Sequence, residues 1–132
     1  VVFNPEYAEE LWRRRKRAGH LFSKMRFVAA QLEAYLQDDL WLRLAAHSNG
    51  AAQTMAVELA DLAGISFKFS VEANELFVQM PASVSAGLRE AGFEFHTTPG
   101  MDDVYRLLMS HDTRLEDVHR FSELCRKLTA TT

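Results

Sequence analysis

Between Trp41 and Gly64 the small and apolar positions Trp41, Leu44, Ala45, Ser48, Ala52, Met55, Ala56, Leu59 and Leu62 recur at intervals of three and four. That is the spacing of a long amphipathic helix. The stripe keeps phase across Asn49-Gly50, so the helix is expected to run unbroken, since one interior glycine costs only about 1 kcal/mol. Upstream, Asn4-Pro5-Glu6 reads as a helix start, with Asn as the capping acceptor and Pro in the first turn. That first helix is expected to reach Ala18, with acids early (Glu6, Glu9, Glu10), cations late (Arg13 to Arg17) and Gly19 beyond its end. Ser23 is expected to open a second helix through Leu36, with Phe27, Ala30, Leu32 and Leu36 on its apolar side. After Gly64 the period changes, and residues 65–69, 75–80, 93–97 and 104–109 read as short strands. Residues 83–91 form a short helix ended by Gly92, and Thr113-Arg114-Leu115-Glu116 has the spacing of a capping box before a closing helix through Val118, Phe121, Leu124 and Leu128. The order is three helices, two strands, a helix, two strands and a helix. It predicts an α+β fold, a small mainly antiparallel sheet with helices largely on one face.

Two features of this pattern point to chemistry. Residues 104–109 carry one arginine in an apolar strand, and alternation places Val104, Arg106, Leu108 and Ser110 on one face and Tyr105, Leu107 and Met109 on the other. The Arg106 guanidinium must meet an anion or water. Its planar fork suits a substrate carboxylate, while the bland alternative is an edge strand whose arginine reaches solvent. The second feature is the stretch from Arg14 to Phe27, which holds six Lys and Arg residues and His20 among fourteen positions. Arg13 to Arg17 face all directions on a helix and read as a solvated helix end. Lys24 and Arg26 are different, because they sit in the opening turn of the second helix, where cations oppose the dipole and so need another reason to be there.

Composition narrows the classes. The 132 residues are 48% hydrophobic and 25% charged, with 18 acids, 15 bases and a net charge of -3. That is ordinary globular usage for one domain and argues against a dedicated nucleic-acid binder. No apolar run is long enough to span a bilayer, no signal peptide is visible, and Cys125 is alone, so a reducing, cytoplasmic setting is expected. Cys125 lies in the apolar phase of the last helix and reads as core. The histidines (His20, His47, His96, His111, His119) lack metal-ligand spacing, and no metal site is expected. Among them His111 merits attention for its place after the Arg106 strand. No P-loop, GxGxxG or GxSxG is present. The opening Val1-Val2-Phe3 reads as part of a strand, so the chain is expected to be the C-terminal piece of a longer protein.

The segments 14–32, 38–49 (DDLWLRLAAHSN), 71–81 (VEANELFVQMP), 91–95 (AGFEF) and 105–113 (YRLLMSHDT), taken in this order after Asn4-Pro5, resemble the C-terminal part of the low-specificity L-threonine aldolases. The resemblance implies a pyridoxal 5'-phosphate enzyme of fold type I, with residues 1–3 ending a large-domain strand and residues 4–132 forming the small domain. It implies retro-aldol cleavage of threonine or allo-threonine to glycine and acetaldehyde, in a homodimer or homotetramer. It places the lysine that binds the cofactor upstream of Val1, leaving no catalytic residue here and a fragment inactive by itself. By the same resemblance, Arg106 would pair with the substrate α-carboxylate, and Lys24 and Arg26 would approach the cofactor phosphate. Two other readings stay open: a stand-alone interaction module using the basic helix, and the small domain of a related β-hydroxy amino acid aldolase or lyase.

Overall fold

The computed structural model describes residues 2–131, and Val1 and Thr132 lie outside the described residues. The chain divides into two compact units, which meet in sequence between Leu40 and Trp41.

In the first unit the Asn4 side chain accepts the Glu6 N–H at 3.0 Å, as its capping role requires. A short 3-10 turn, Pro5–Tyr7, then leads into α1 (Ala8–Arg17). Glu9 and Glu10 receive Arg13 and Arg14 one turn later, at 2.5 and 2.8 Å, pairs that support the helix and neutralise part of its basic end. Gly19 turns the chain with φ of 71°. Helix α2 (Met25–Leu36) starts two residues later than Ser23 would set it, with Lys24 at the cap position and no side-chain cap. Asp38 and Asp39, at φ of 50° and 56°, end that helix in the left-handed region, where short polar side chains are better tolerated than bulky ones. Val2 and Phe3 join no strand within the described residues; a strand exists only against a partner, and none of the described strands pairs with them.

The second unit holds the core. Helix α3 (Leu40–Leu59) runs unbroken through Gly50. Its stripe buries only from Ser48 onward, together with Ala51, Ala52, Met55 and Leu59, while Trp41 and Ala45 stay exposed. Four strands follow, β1 (Ser66–Phe67), β2 (Glu75–Gln79), β3 (His96–Thr98) and β4 (Met101–Leu108), with α4 (Ala82–Glu90) between β2 and β3 and α5 (Leu115–Thr129) at the end. The sheet order is β1-β2-β4-β3, and every pairing is antiparallel. Leu76 faces Leu107 and Val78 faces Tyr105 across β2 and β4. These four are buried on one face of the sheet, in the same core as Met55, Leu59, Val84, Leu88, Phe121 and Cys125 from the helices. The α+β architecture with one covered sheet face therefore stands as the strand alternation predicts.

The expected capping box does not form. The Thr113 hydroxyl accepts the Ser110 N–H at 2.8 Å and so closes the turn after β4, leaving Arg114 at the helix cap with its Nε on Asp117 at 3.0 Å. The helix begins one residue later than a Thr113 cap would set it, and the hydroxyl serves the preceding turn instead.

Candidate functional site

Strand β4 is interior, flanked by β2 and β3, so Arg106 does not sit on an edge strand. The register puts Phe77 and His96 opposite Arg106, on either side, and Leu108 opposite Glu75. Directly paired residues share a face, so Glu75, Phe77, His96, Arg106 and Leu108 together form the sheet surface opposite the core. On this surface Arg106 Nε donates to the Glu75 carboxylate, a diagonal contact between neighbouring strands. The two side chains are 43% and 31% exposed. An ion pair this open contributes at most about 1 kcal/mol to stability, and its Arg remains reachable from solvent. Phe77 also takes the Phe69 ring edge-on at 5.3 Å, an apolar surface beside the guanidinium.

On the β3 side of Arg106 lies an open cleft of about 600 Å3, lined by Arg89, Phe93, Glu94, Phe95, His96, Arg106 and Leu108. Its walls are held by the core. Phe95 meets Tyr105 edge to face at 5.5 Å, and Phe93 meets Phe121 at 5.1 Å. The Tyr105 hydroxyl, on the face opposite Arg106, accepts a hydrogen bond from Ser85 at 2.9 Å, which fixes β4 against α4. Arg89 reaches back from α4, donating through Nη2 to the Phe95 carbonyl at 3.0 Å with its guanidinium 4.6 Å from the Phe95 ring centre. Arg89, His96 and Arg106 thus line one cleft that holds a single acidic side chain, Glu94, an arrangement suited to a small anion. Arg89 and Glu75 are absent from the site residues expected from sequence, and His96 figures there only as a histidine without metal-ligand spacing. Only the strand register and the α4–β3 connection bring them to Arg106, although the arginine-bearing alternation does mark the correct face.

The other candidates fall elsewhere. Lys24 and Arg26 are exposed in the first unit; the Lys24 carbonyl accepts the Phe27 N–H at 3.2 Å, and among the described residues no side-chain hydrogen bond or ion pair is seen for either. Arg13, Arg14 and Arg17 pair with Glu9 and Glu10, as the solvated-helix reading expects. Cys125 is fully buried, and burial pushes its thiol from 9.0 up to about 12, which removes it as a nucleophile. His111 is exposed and lies outside the cleft. His47 and His119 tie elements together, His47 donating to the Thr113 carbonyl at 2.7 Å and His119 meeting Glu58 at 2.5 Å. Lys16, Lys24, Lys68 and Lys127 are all exposed, and none lines the cleft. Among the described residues no group of acidic, His and Cys side chains is arranged to hold a metal, and no helix is long and apolar enough to cross a membrane.

No protein-family model matches the chain. Individual relatives do. A low-specificity L-threonine aldolase from Pseudomonas aeruginosa is 43% identical over 128 residues, 97% of this chain. A second, from a Pseudomonas species, is 42% identical over 86% of it. The chain is related to the low-specificity L-threonine aldolases. The fold agrees: a solved threonine aldolase from Leishmania major superposes with a TM-score of 0.79 over 87% of this chain, at 29% identity. The chain spans about a third of the length of these aldolases, 36% and 32% of the two Pseudomonas proteins and 34% of the Leishmania chain.

Proposed function

We propose that this chain is the C-terminal small domain of a pyridoxal-phosphate-dependent threonine aldolase that cleaves threonine or allo-threonine to glycine and acetaldehyde. The observation that carries the reading is identity of 43% to such an aldolase across 97% of the chain. Within it, Arg106 binds the substrate α-carboxylate. The guanidinium projects from an interior strand into the wall of an open cleft, and its fork can grip both carboxylate oxygens and so fix the orientation of the amino acid. Lys24 and Arg26 carry charge suited to the cofactor phosphate, reached across a subunit interface of a cytoplasmic homodimer or homotetramer. When bound, pyridoxal phosphate supplies the electron sink for breaking the Cα–Cβ bond. The four exposed lysines of this chain do not fit its covalent attachment, so that lysine and most of the cofactor site belong to the large domain of the longer protein.

The test is made in that longer protein. Arg106→Ala is expected to lower kcat/KM for threonine by about 100-fold, the scale of a lost positioning contact, while the visible absorbance of bound cofactor survives. Retained activity removes Arg106 from the site. The 132-residue chain alone, mixed with pyridoxal phosphate, is expected to give no stoichiometric cofactor absorbance, and a stoichiometric band would overturn the assignment of covalent attachment to the missing part.

A further inference from the structure

The contact between Arg106 and Glu75 sits on the side of β4 away from the cleft. In the sheet order β2-β4-β3, Glu75 reaches Arg106 from β2, whereas the cleft residues Phe93, Glu94, Phe95 and His96 lie in β3 and the segment leading into it. Arg106 belongs to the cleft lining and Glu75 does not. The carboxylate takes Nε, the N–H nearest the aliphatic stem, which leaves the two terminal nitrogens to serve an anion on the other side. An arginine side chain has several rotatable bonds, and the neighbour directly opposite on β2, Phe77, offers the guanidinium no hydrogen-bond acceptor. Without an acceptor at Nε the head group is free to swing off the sheet into water.

We propose that Glu75 is a positioning residue for Arg106: it holds the guanidinium by Nε so that its terminal edge is presented to the cleft, ready to receive a carboxylate. This rests on the reading of Arg106 as the carboxylate-binding group. Glu75 neither touches the substrate nor competes for the terminal edge, so its removal disturbs binding more than turnover.

The experiment compares Glu75→Ala, Glu75→Gln and Arg106→Ala in the intact, cofactor-loaded enzyme, with thermal unfolding recorded for each. Glu75→Ala is expected to raise KM for threonine about tenfold while kcat stays within about twofold. Glu75→Gln keeps an oxygen that accepts the Nε–H, and it is expected to recover most of the KM. Equal KM effects in the two variants, an unchanged or lowered KM in Glu75→Ala, or a loss confined to kcat would each overturn the positioning role. If Glu75→Ala does not fold, Glu75→Gln decides alone: KM within about threefold of the parent sustains the proposal, and a larger rise overturns it. Arg106→Ala separates the two levels, since full activity in that variant defeats the carboxylate reading itself, whereas its loss together with a flat KM in Glu75→Ala defeats only the proposal made for Glu75.

Discussion

Arg106 departs from its apolar strand and Cys125 follows the apolar phase of its helix, and the structure places the two accordingly. The arginine stands on the uncovered face of an interior strand with a carboxylate beside it; the thiol is sealed in the core. Burial raises the folded-state thiol to about 12 from its ordinary 9.0, and the sign of the consequence follows. Between these values the unfolded chain has released its proton and the folded one has not, so this contribution to stability is complete below pH 9 and is lost as pH rises toward 12. Denaturant midpoints measured from pH 8 to 10.5 should therefore fall more steeply in the parent than in Cys125→Ala, since the other titrating groups are common to both. Iodoacetamide should label Cys125 only under unfolding conditions. What the sequence could not mark at this scale was Glu75, an ordinary strand residue until the register sets it diagonally across from Arg106.

At the scale of elements, periodicity located the five α-helices and overlapped the four strands among the described residues. It gave no sign of the 3-10 turn Gln37–Asp39 and set β3 (His96–Thr98) three residues too early, and the ends depended on local competition for hydrogen bonds. Thr113 shows the limit. Its spacing to Glu116 matches a capping box, yet its oxygen is taken by Ser110 N–H, a choice made by the turn after β4 and not by the helix. Two glycines give contrasting predictions. Gly50 lies inside α3 with nothing within 4 Å of where a Cβ would stand, so Gly50→Ala should stabilise the chain by about 1 kcal/mol, read from urea midpoints. Gly87 lies inside α4, and there a Cβ would come within 2.8 Å of both terminal methyls of Leu128 on α5. Overpacking of this kind costs about 1–3 kcal/mol, which outweighs the helix preference for alanine. Gly87→Ala should thus destabilise, and its cost should shrink in a Leu128→Ala background, the two residues being coupled by contact.

The whole molecule is uneven in burial. The core cluster draws entirely on residues from Ala51 to Cys125, whereas no described residue from Val2 to Asp39 is buried, and Tyr7, Trp12, Phe22, Phe27, Leu32 and Tyr35 are all largely exposed. Short helices without a covered apolar face are marginal in water. In the 132-residue chain by itself, amide exchange across α1 and α2 should be complete well before that of β2, β4 and α5, and limited proteolysis should spare residues 41–132. Equal protection in both units would show that the first draws stability from something other than its own burial.

The sequence by itself determined the element order, the α+β class, the buried nature of Cys125 and the arginine-bearing face of β4, because these follow from the periods of 3.6 and 2 and from the cost of burying charge without a partner. Tertiary structure alone decided that β4 is interior, that Glu75 meets Arg106 from one side, and that Arg89 and His96 line the cleft on the other. Those neighbours are 10 to 31 positions away along the chain, and which strands pair, and in what register, depends on burying one face of the whole sheet against its core and not on any single segment.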